Sequence, residues 1–299
     1  VDRSLPGGAR GILHPRTGLE RFRVERSAPP PGLAPFVDRF WVLCWDLRGR
    51  APHRQRLLTL PSVHMTFTSY LTSGATRARI AGVVRDEFVE DLPDEGYVVG
   101  VGFRPGGFHP FLPAGVPVSA FTGRFAGVDE VFAQEGLALA GEIFAAPGPD
   151  EGLATLTGFL TGLRPARDPS AERAAAIVER IAARPGLLRV DELAADAGLS
   201  PRGLQRLFHE YVGVGPKWVI RRFRMAEAHE RAASGSDVDW ARLAAELGYA
   251  DQAHFTRDFT AAIGTSPARY AREAGPERGA GPERGAGSEH GAGPGTIDA

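Results

Sequence analysis

The feature that most constrains this chain is a repeat inside its C-terminal third. Leu193-Ala-Ala-Asp-Ala-Gly-Leu199 matches Leu243-Ala-Ala-Glu-Leu-Gly-Tyr249 at an offset of 50 residues. Arg206-Leu-Phe208 then matches Arg257-Asp-Phe259, and Gly213-Val-Gly-Pro216 matches Gly264-Thr-Ser-Pro267, both at an offset of 51. Self-similarity at a fixed period means that one supersecondary unit is used twice. Each copy reads as helix, turn, helix. Small residues (Ala194 and Ala195; Ala244 and Ala245) lie where a second helix must cross closely. Gly198 and Gly248 stand where the chain must reverse and a positive φ is easiest for glycine. The second helix of each copy puts Leu204, Leu207 and Phe208, or Phe255 and Phe259, on one face.

The opposite face is polar, with Arg202, Gln205, Arg206 and His209 in the first copy and Gln252, His254, Thr256 and Arg257 in the second. Arg and Gln carry forked groups that match guanine and adenine edges in the major groove. Ser200 reads as an N-cap with Pro201 at the first helical position. Between the copies, 216–233 reads as a helix of 18 residues. Such a rod is about 27 Å long and can hold two recognition helices near one DNA turn, roughly 34 Å, apart. Lys217, Arg221, Arg222 and Arg224 near its start form a cluster suited to phosphates. One Leu-Ala-Ala-x-x-Gly helix alone would be a fragment of any helical bundle. Two copies, each closing on Gly-x-x-Pro, are much harder to explain that way.

With these motifs the chain resembles the AraC/XylS family of bacterial transcription regulators over about 170–272, roughly a third of its length. The resemblance implies base contacts from Arg202, Gln205 and Arg206 in the first recognition helix. It implies Gln252, Ala253 and Arg257 in the second, joined by His254 and Thr256. Gly203 shares the exposed face but offers no side chain. Phosphate contacts are expected from Ser200, Lys217, Arg221, Arg222 and Arg224. The partners implied are double-stranded promoter DNA, RNA polymerase and a small-molecule effector, with homodimer formation as a further role of the N-terminal half. Pro31-Gly-Leu-Ala-Pro-Phe-Val-Asp-Arg-Phe-Trp41 and Val101-Gly-Phe-Arg-Pro-Gly-Gly107 resemble the variable sensing half of some members.

The fold expected is an α+β N-terminal domain rich in short strands, then an all-α domain with two helix-turn-helix units joined by a long linker helix. The boundaries read as a flexible terminus over 1–19, a sensing or dimerisation domain over 20–163, a two-proline linker over 164–169, the DNA-binding domain over 170–274 and a tail over 275–299. Strands are expected over 20–26, 40–47, 56–60, 63–71, 78–84 and 97–103, from apolar or β-branched runs bounded by Gly and Pro. Helices are expected over 35–40, 107–112 and 150–163, then over 171–183, 191–197, 201–211, 216–233, 240–247, 252–262 and 267–272. The tail repeats Gly-Pro-Glu-Arg-Gly-Ala and cannot bury enough apolar surface to order itself.

Other chemistry fits less well. A single cysteine, Cys44, excludes a disulfide framework and a zinc site of several thiolates. There is no apolar run long enough for a membrane span and no secretory signal over 1–26, so a cytoplasmic location is expected. Lysine occurs once among 35 Lys and Arg, as in proteins of GC-rich bacterial genomes. Gly100, Gly102, Gly106 and Gly107 fall short of a dinucleotide loop, which needs Gly where Pro105 stands; a strand-to-helix turn is the better reading. His53, His64 and His109 lack ligand spacing, and no Gly-x-Ser-x-Gly elbow occurs. No metal, cofactor or catalytic residue is expected. An N-terminal small-molecule-processing enzyme fused to the DNA-binding module is the alternative. Trp41, Trp45, His64, Phe67 and Tyr97 are candidate lining for an effector pocket, with sheet core as the competing role. Net charge is −1, and 170–274 holds 15 basic and 14 acidic residues, so DNA affinity must come from segregating the basic ones to one face.

Overall fold

The computed structural model describes residues 11–14, 18–86, 88–184, 189–233 and 238–274. The expected tail at 275–299 lies outside them. Its first half contains strands β1 (Phe22–Ser27), β2 (Val37–Asp46), β3 (His53–Leu57), β4 (His64–Tyr70), β5 (Ala75–Ala81), β6 (Phe88–Leu92), β7 (Glu95–Phe103) and β8 (Phe125–Ala126). Six form one antiparallel sheet in the order β1-β2-β7-β4-β5-β8, while β3 pairs with β6 as a separate ribbon. Helices α1 (Asp129–Ala145) and α2 (Pro149–Gly162) follow. The α+β reading of this half stands.

Strand alternation sorts the side chains into two faces. Phe40, Val42, Met65, Phe67, Ile80, Val99 and Val101 belong to a core that also takes Leu139 and Ile143 of α1 and Leu156 and Leu160 of α2. On the other face Trp45 and Val98 pack with Phe22, Leu47 and Leu92, and Trp41, Leu43, Leu57 and Tyr70 lean on them. The glycines of β7 serve this second face. A Cβ on Gly100 would strike the Trp41 indole, and one on Gly96 the Trp45 indole. Gly100 and Gly102 are therefore strand positions cleared for neighbouring rings, and only Gly106 (φ +83°) and Gly107 belong to the turn expected there.

Several local expectations need correction. Residues 35–40 form no helix: the chain turns over 31–36 and β2 starts at Val37, where apolar residues pair with β7. The segment 107–112 holds only the single 3-10 turn His109–Phe111. Residues 11–14, placed by the sequence in a flexible terminus, are packed: Ile12 bridges to Leu57, and Ile12 and Leu13 are buried.

Among the described residues the second half is all helical: α3 (Pro169–Ala183), α4 (Val190–Asp196), α5 (Pro201–Tyr211), α6 (Pro216–Ala233), α7 (Trp240–Glu246), α8 (Gln252–Ile263) and α9 (Pro267–Ala274). The long linker helix α6 is divided between two cores. Val219, Ile220 and Phe223 join the core of α4 and α5, which is continuous with the N-terminal sheet. Met225, Ala226, Ala228 and Ala232 join that of α7, α8 and α9, which also takes Leu13 and Leu58 from the N-terminal half.

Candidate nucleic-acid interface

The two turns are built alike, atom for atom. Gly198 (φ +62°) and Gly248 (φ +74°) are both left-handed. Gly198 N donates to Ala195 O and Leu199 N to Ala194 O at 2.9 and 2.8 Å; Gly248 N donates to Ala245 O and Tyr249 N to Ala244 O at 3.0 and 2.9 Å. This double bond pattern closes a helix on a left-handed residue and satisfies its last carbonyls. Leu204 and Phe208 of α5, and Phe255 and Phe259 of α8, are fully buried beneath it.

The next helix begins on a side-chain cap in each copy. Ser200 Oγ accepts from Gly203 N at 3.1 Å, and Asp251 Oδ1 accepts from His254 N at 2.7 Å. Ser200 was legible as a cap. Asp251 was not singled out, although an acid directly before a helix is a standard cap signal.

The apolar faces fix which side chains remain outside. Arg202, Gln205 and Arg206 of α5 are exposed, as are Gln252, Ala253, His254 and Arg257 of α8, with Thr256 half-buried beside them. His254 Nε2 lies 4.0 Å from Asp258, and the Thr256 carbonyl accepts from Thr260 Oγ1 at 2.8 Å. Arg202, Arg206, Lys217 and Arg257 form no ion pair among the described residues. Several other arginines of this half are tied: Arg180 to Asp196, Arg231 to Glu227 and Glu246, Arg242 to Glu246, and Arg269 to Glu273.

The four basic residues expected along α6 do not act as one cluster. Lys217 is exposed. Arg221 grips Asp258 of α8 through both carboxylate oxygens, at 2.9 and 3.2 Å. Arg224 is half-buried over the Tyr249 ring at 5.8 Å. Arg222 is not at the surface at all. It is 8% exposed, its Nη2 donates to Arg85 O at 2.5 Å, and its guanidinium lies 4.7 Å from the Trp218 ring. Burial lowers its pKa to about 10. Successive positions on a helix point about 100° apart, so Arg221 and Arg222 cannot share a face. Arg222 is corrected from a phosphate contact to an interdomain contact.

That contact is one of several the sequence did not reveal. Thr122 Oγ1 donates to Gly213 O at 2.7 Å, and His109 Nε2 lies 3.2 Å from Glu210 Oε1. Ser119 Oγ lies 3.2 Å from His209 Nδ1, so His209, grouped by sequence with the polar face, is turned to the N-terminal half. The Arg56 guanidinium of β3 sits against Gly264, the left-handed C-cap of α8. Beneath, Tyr270 is fully buried; its hydroxyl accepts from His14 N at 3.0 Å and meets His229 Nε2 at 2.6 Å. Burial lowers the His229 pKa to about 4, so the ring at this contact is neutral.

The five candidate effector residues do not form one pocket. Phe67 is 0% exposed in the helix-covered core and Tyr97 packs on the same core, whereas Trp41, Trp45 and His64 belong to the opposite face. Alternation along each strand forces the split. Trp45 and Tyr97 both line an open groove of about 490 Å³ at one end of the sheet, with Phe22, Cys44, Leu71 and Pro149. Burial, with Arg39 nearby, lowers the His64 pKa to about 3. His53 sits beside Gln55 and His109 beside Glu210, so the three histidines do not converge. No helix among the described residues is long and apolar enough to cross a membrane.

Comparison with known proteins gives one match in each half of the chain. A family model described as a helix-turn-helix domain matches 193–273, and one described as a domain of unknown function, DUF6597, matches 25–126. The probable transcription factor PqrA of Proteus vulgaris is 32% identical over 88 residues, 29% of this chain and 70% of that protein. A transcriptional regulator with an AraC-type DNA-binding domain from Chromobacterium violaceum is 23% identical, covering 36% of this chain and 96% of its own, at a TM-score of 0.33. ToxT from Vibrio cholerae is 8% identical, covering 85% of this chain and 98% of its own, at a TM-score of 0.38. On the duplicated turn architecture and the match to a transcription factor along most of that factor's length, the chain belongs to the AraC/XylS family of DNA-binding transcription regulators.

Proposed function

We propose that the chain is an effector-responsive regulator that reads two successive major grooves of its operator, one with α5 and one with α8. Arg202, Gln205 and Arg206 contact bases in one groove; Gln252, Ala253, His254, Thr256 and Arg257 do so in the other. Lys217 and the start of α5 at Ser200 hold phosphates, with Arg221 and Arg224 at the rim. The observation that carries the reading is the equivalence of Arg206 and Arg257. Each is exposed, without an ion pair among the described residues, two positions before a fully buried phenylalanine in its copy of the repeat. The domain over 20–163 is the sensing half and 170–274 the reading half, with 164–169 between them.

Fluorescence anisotropy of the full chain on duplexes tiling the DNA upstream of its gene tests this, with random duplex as competitor and a salt series. Tight binding to one tile that survives competitor supports the reading. Equal binding to every tile removes sequence-specific readout from it. Light scattering of the chain on that tile tests its homodimer part, and transcription in vitro with RNA polymerase tests recruitment.

A further inference from the structure

The second face of the sheet carries a charged cluster that DNA reading does not use. The β4–β5 register sets Thr66 opposite Arg79 and Thr68 opposite Arg77. The β3–β6 ribbon covers this face and brings in Glu90. Its carboxylate takes one Nη2 from each arginine, Arg79 at 2.6 Å and Arg77 as a close partner. Arg79 and Glu90 are only 16% and 18% exposed at their side chains. Two guanidiniums thus share one carboxylate, and the next acid on the ribbon, Asp91, is bound by Arg54.

Glu90 does not satisfy what it bridges. Arg77 Nε and Arg79 Nε are buried with no hydrogen-bond partner, and so is Thr66 Oγ1, on a residue 7% exposed. A carboxylate pairs best with a guanidinium edge-on, taking Nε and Nη2 together. A tethered glutamate bridging two arginines cannot do that for either. Rings flank the pair: the Arg79 guanidinium lies 4.4 Å from the Phe125 ring and 5.7 Å from Phe88, and Phe125 is about half exposed.

We propose that Arg77 and Arg79 are the receptor for the carboxylate of a small organic anion with an apolar body, and that Glu90 is its built-in stand-in, displaced when that anion binds. A free carboxylate takes an edge-on pair that Glu90 cannot make, while its body rests against Phe88 and Phe125. Glu90, once expelled, cannot stay buried without a partner, so the end of the ribbon moves outward. That ribbon also reaches the reading half. Arg56 of β3 lies against Gly264 at the end of α8, and Arg85, just before β6, accepts from Arg222 of α6. Displacement of Glu90 is thereby coupled to the placement of the recognition helices. This last step rests on the regulator reading; the anion site itself does not.

The test uses the full chain and propionate, with propionamide as its uncharged match. Calorimetry should show Glu90→Gln binding propionate at least about tenfold more tightly than the parent, because the internal competitor is gone. Propionamide should not bind either protein. Glu90→Ala should melt lower than the parent and recover with propionate, and the double substitution Glu90→Ala with Arg79→Met should not recover. Equal propionate affinity in Glu90→Gln and the parent, or recovery that survives Arg79→Met, overturns the anion site. Anisotropy on DNA is read separately. Propionate binding without any change in DNA affinity overturns the coupling alone, and failure to bind DNA specifically overturns the regulator reading while the calorimetric result stands.

Discussion

Arg222 separates two accounts of the linker helix, and Arg222→Met tests them. As a phosphate contact, Arg222 would add about 0.9 to the slope of log K against log salt. Its position argues otherwise, since the guanidinium faces Arg85 O and Trp218. Lowering of its pKa to about 10 corresponds to about 3 kcal/mol of penalty on the charged form. A charged hydrogen bond to the Arg85 carbonyl returns about 1.5–3 kcal/mol, and stacking on Trp218 about 0.5–2 kcal/mol. The terms nearly cancel, so Met, similar in length and apolar, should change unfolding free energy by no more than about 1–2 kcal/mol. The assay is anisotropy on the operator from about 50 to 200 mM salt, beside denaturant unfolding. The parent slope should persist in Arg222→Met and fall by about 0.9 in Lys217→Ala. A slope lowered equally in both would refute the interdomain assignment.

Arg257→Ala should cost about 1–3 kcal/mol of operator binding and relax base choice at one position; the same loss on every duplex would reassign Arg257 to phosphate. Gly198→Ala should lower stability by about 1–2 kcal/mol through backbone strain alone, since the nearest atom to a new Cβ is 3.8 Å away. An unchanged denaturation midpoint would contradict the left-handed turn. His229 has a folded pKa of about 4 against an ordinary 6.5, so below pH 6.5 the unfolded chain binds a proton that the folded chain does not. Its share of stability is full above that pH and declines by up to about 3 kcal/mol as pH falls toward 4. Unfolding at pH 5 and 7 reads the slope, and His229→Gln should flatten it.

The helical half was legible nearly to the residue because its signals are local. Apolar period, Ser200 as a cap, and Gly198, Gly213, Gly248 and Gly264 as stops each act within one turn of helix. The N-terminal half was legible as strands but not as a sheet, because pairing β2 with β7 and β4 with β7 joins segments far apart in sequence. Strand β6 was hidden by its acids: Glu90 points inward to Arg77 and Arg79, so a buried position reads as a surface one. Helix α1 was missed because Gly136 interrupts a stripe of Phe132, Leu139 and Ile143. The exposed faces of α5 and α8 were readable from helix periodicity. Arg222, His209 and Arg56 were not, since distant residues that pack on them decide their burial.

Net charge poses the remaining physical question: how 15 basic and 14 acidic residues over 170–274 can grip a polyanion. Segregation answers it. Asp196, Glu227, Glu246 and Glu273 are each matched to an arginine within reach, so those pairs present little net field. Asp258 lies on the second recognition helix itself, and it is only 15% exposed and held by Arg221. An acid of that helix is thus covered by a guanidinium from the linker helix. Arg202, Arg206, Lys217 and Arg257 form no such pair among the described residues and stay exposed. On this account Arg221→Ala weakens binding by more than one lost cation would, because it also uncovers Asp258. Asp258→Asn on top of it should recover part of the loss, and a double substitution no better than Arg221→Ala alone would show that Arg221 acts on phosphate directly.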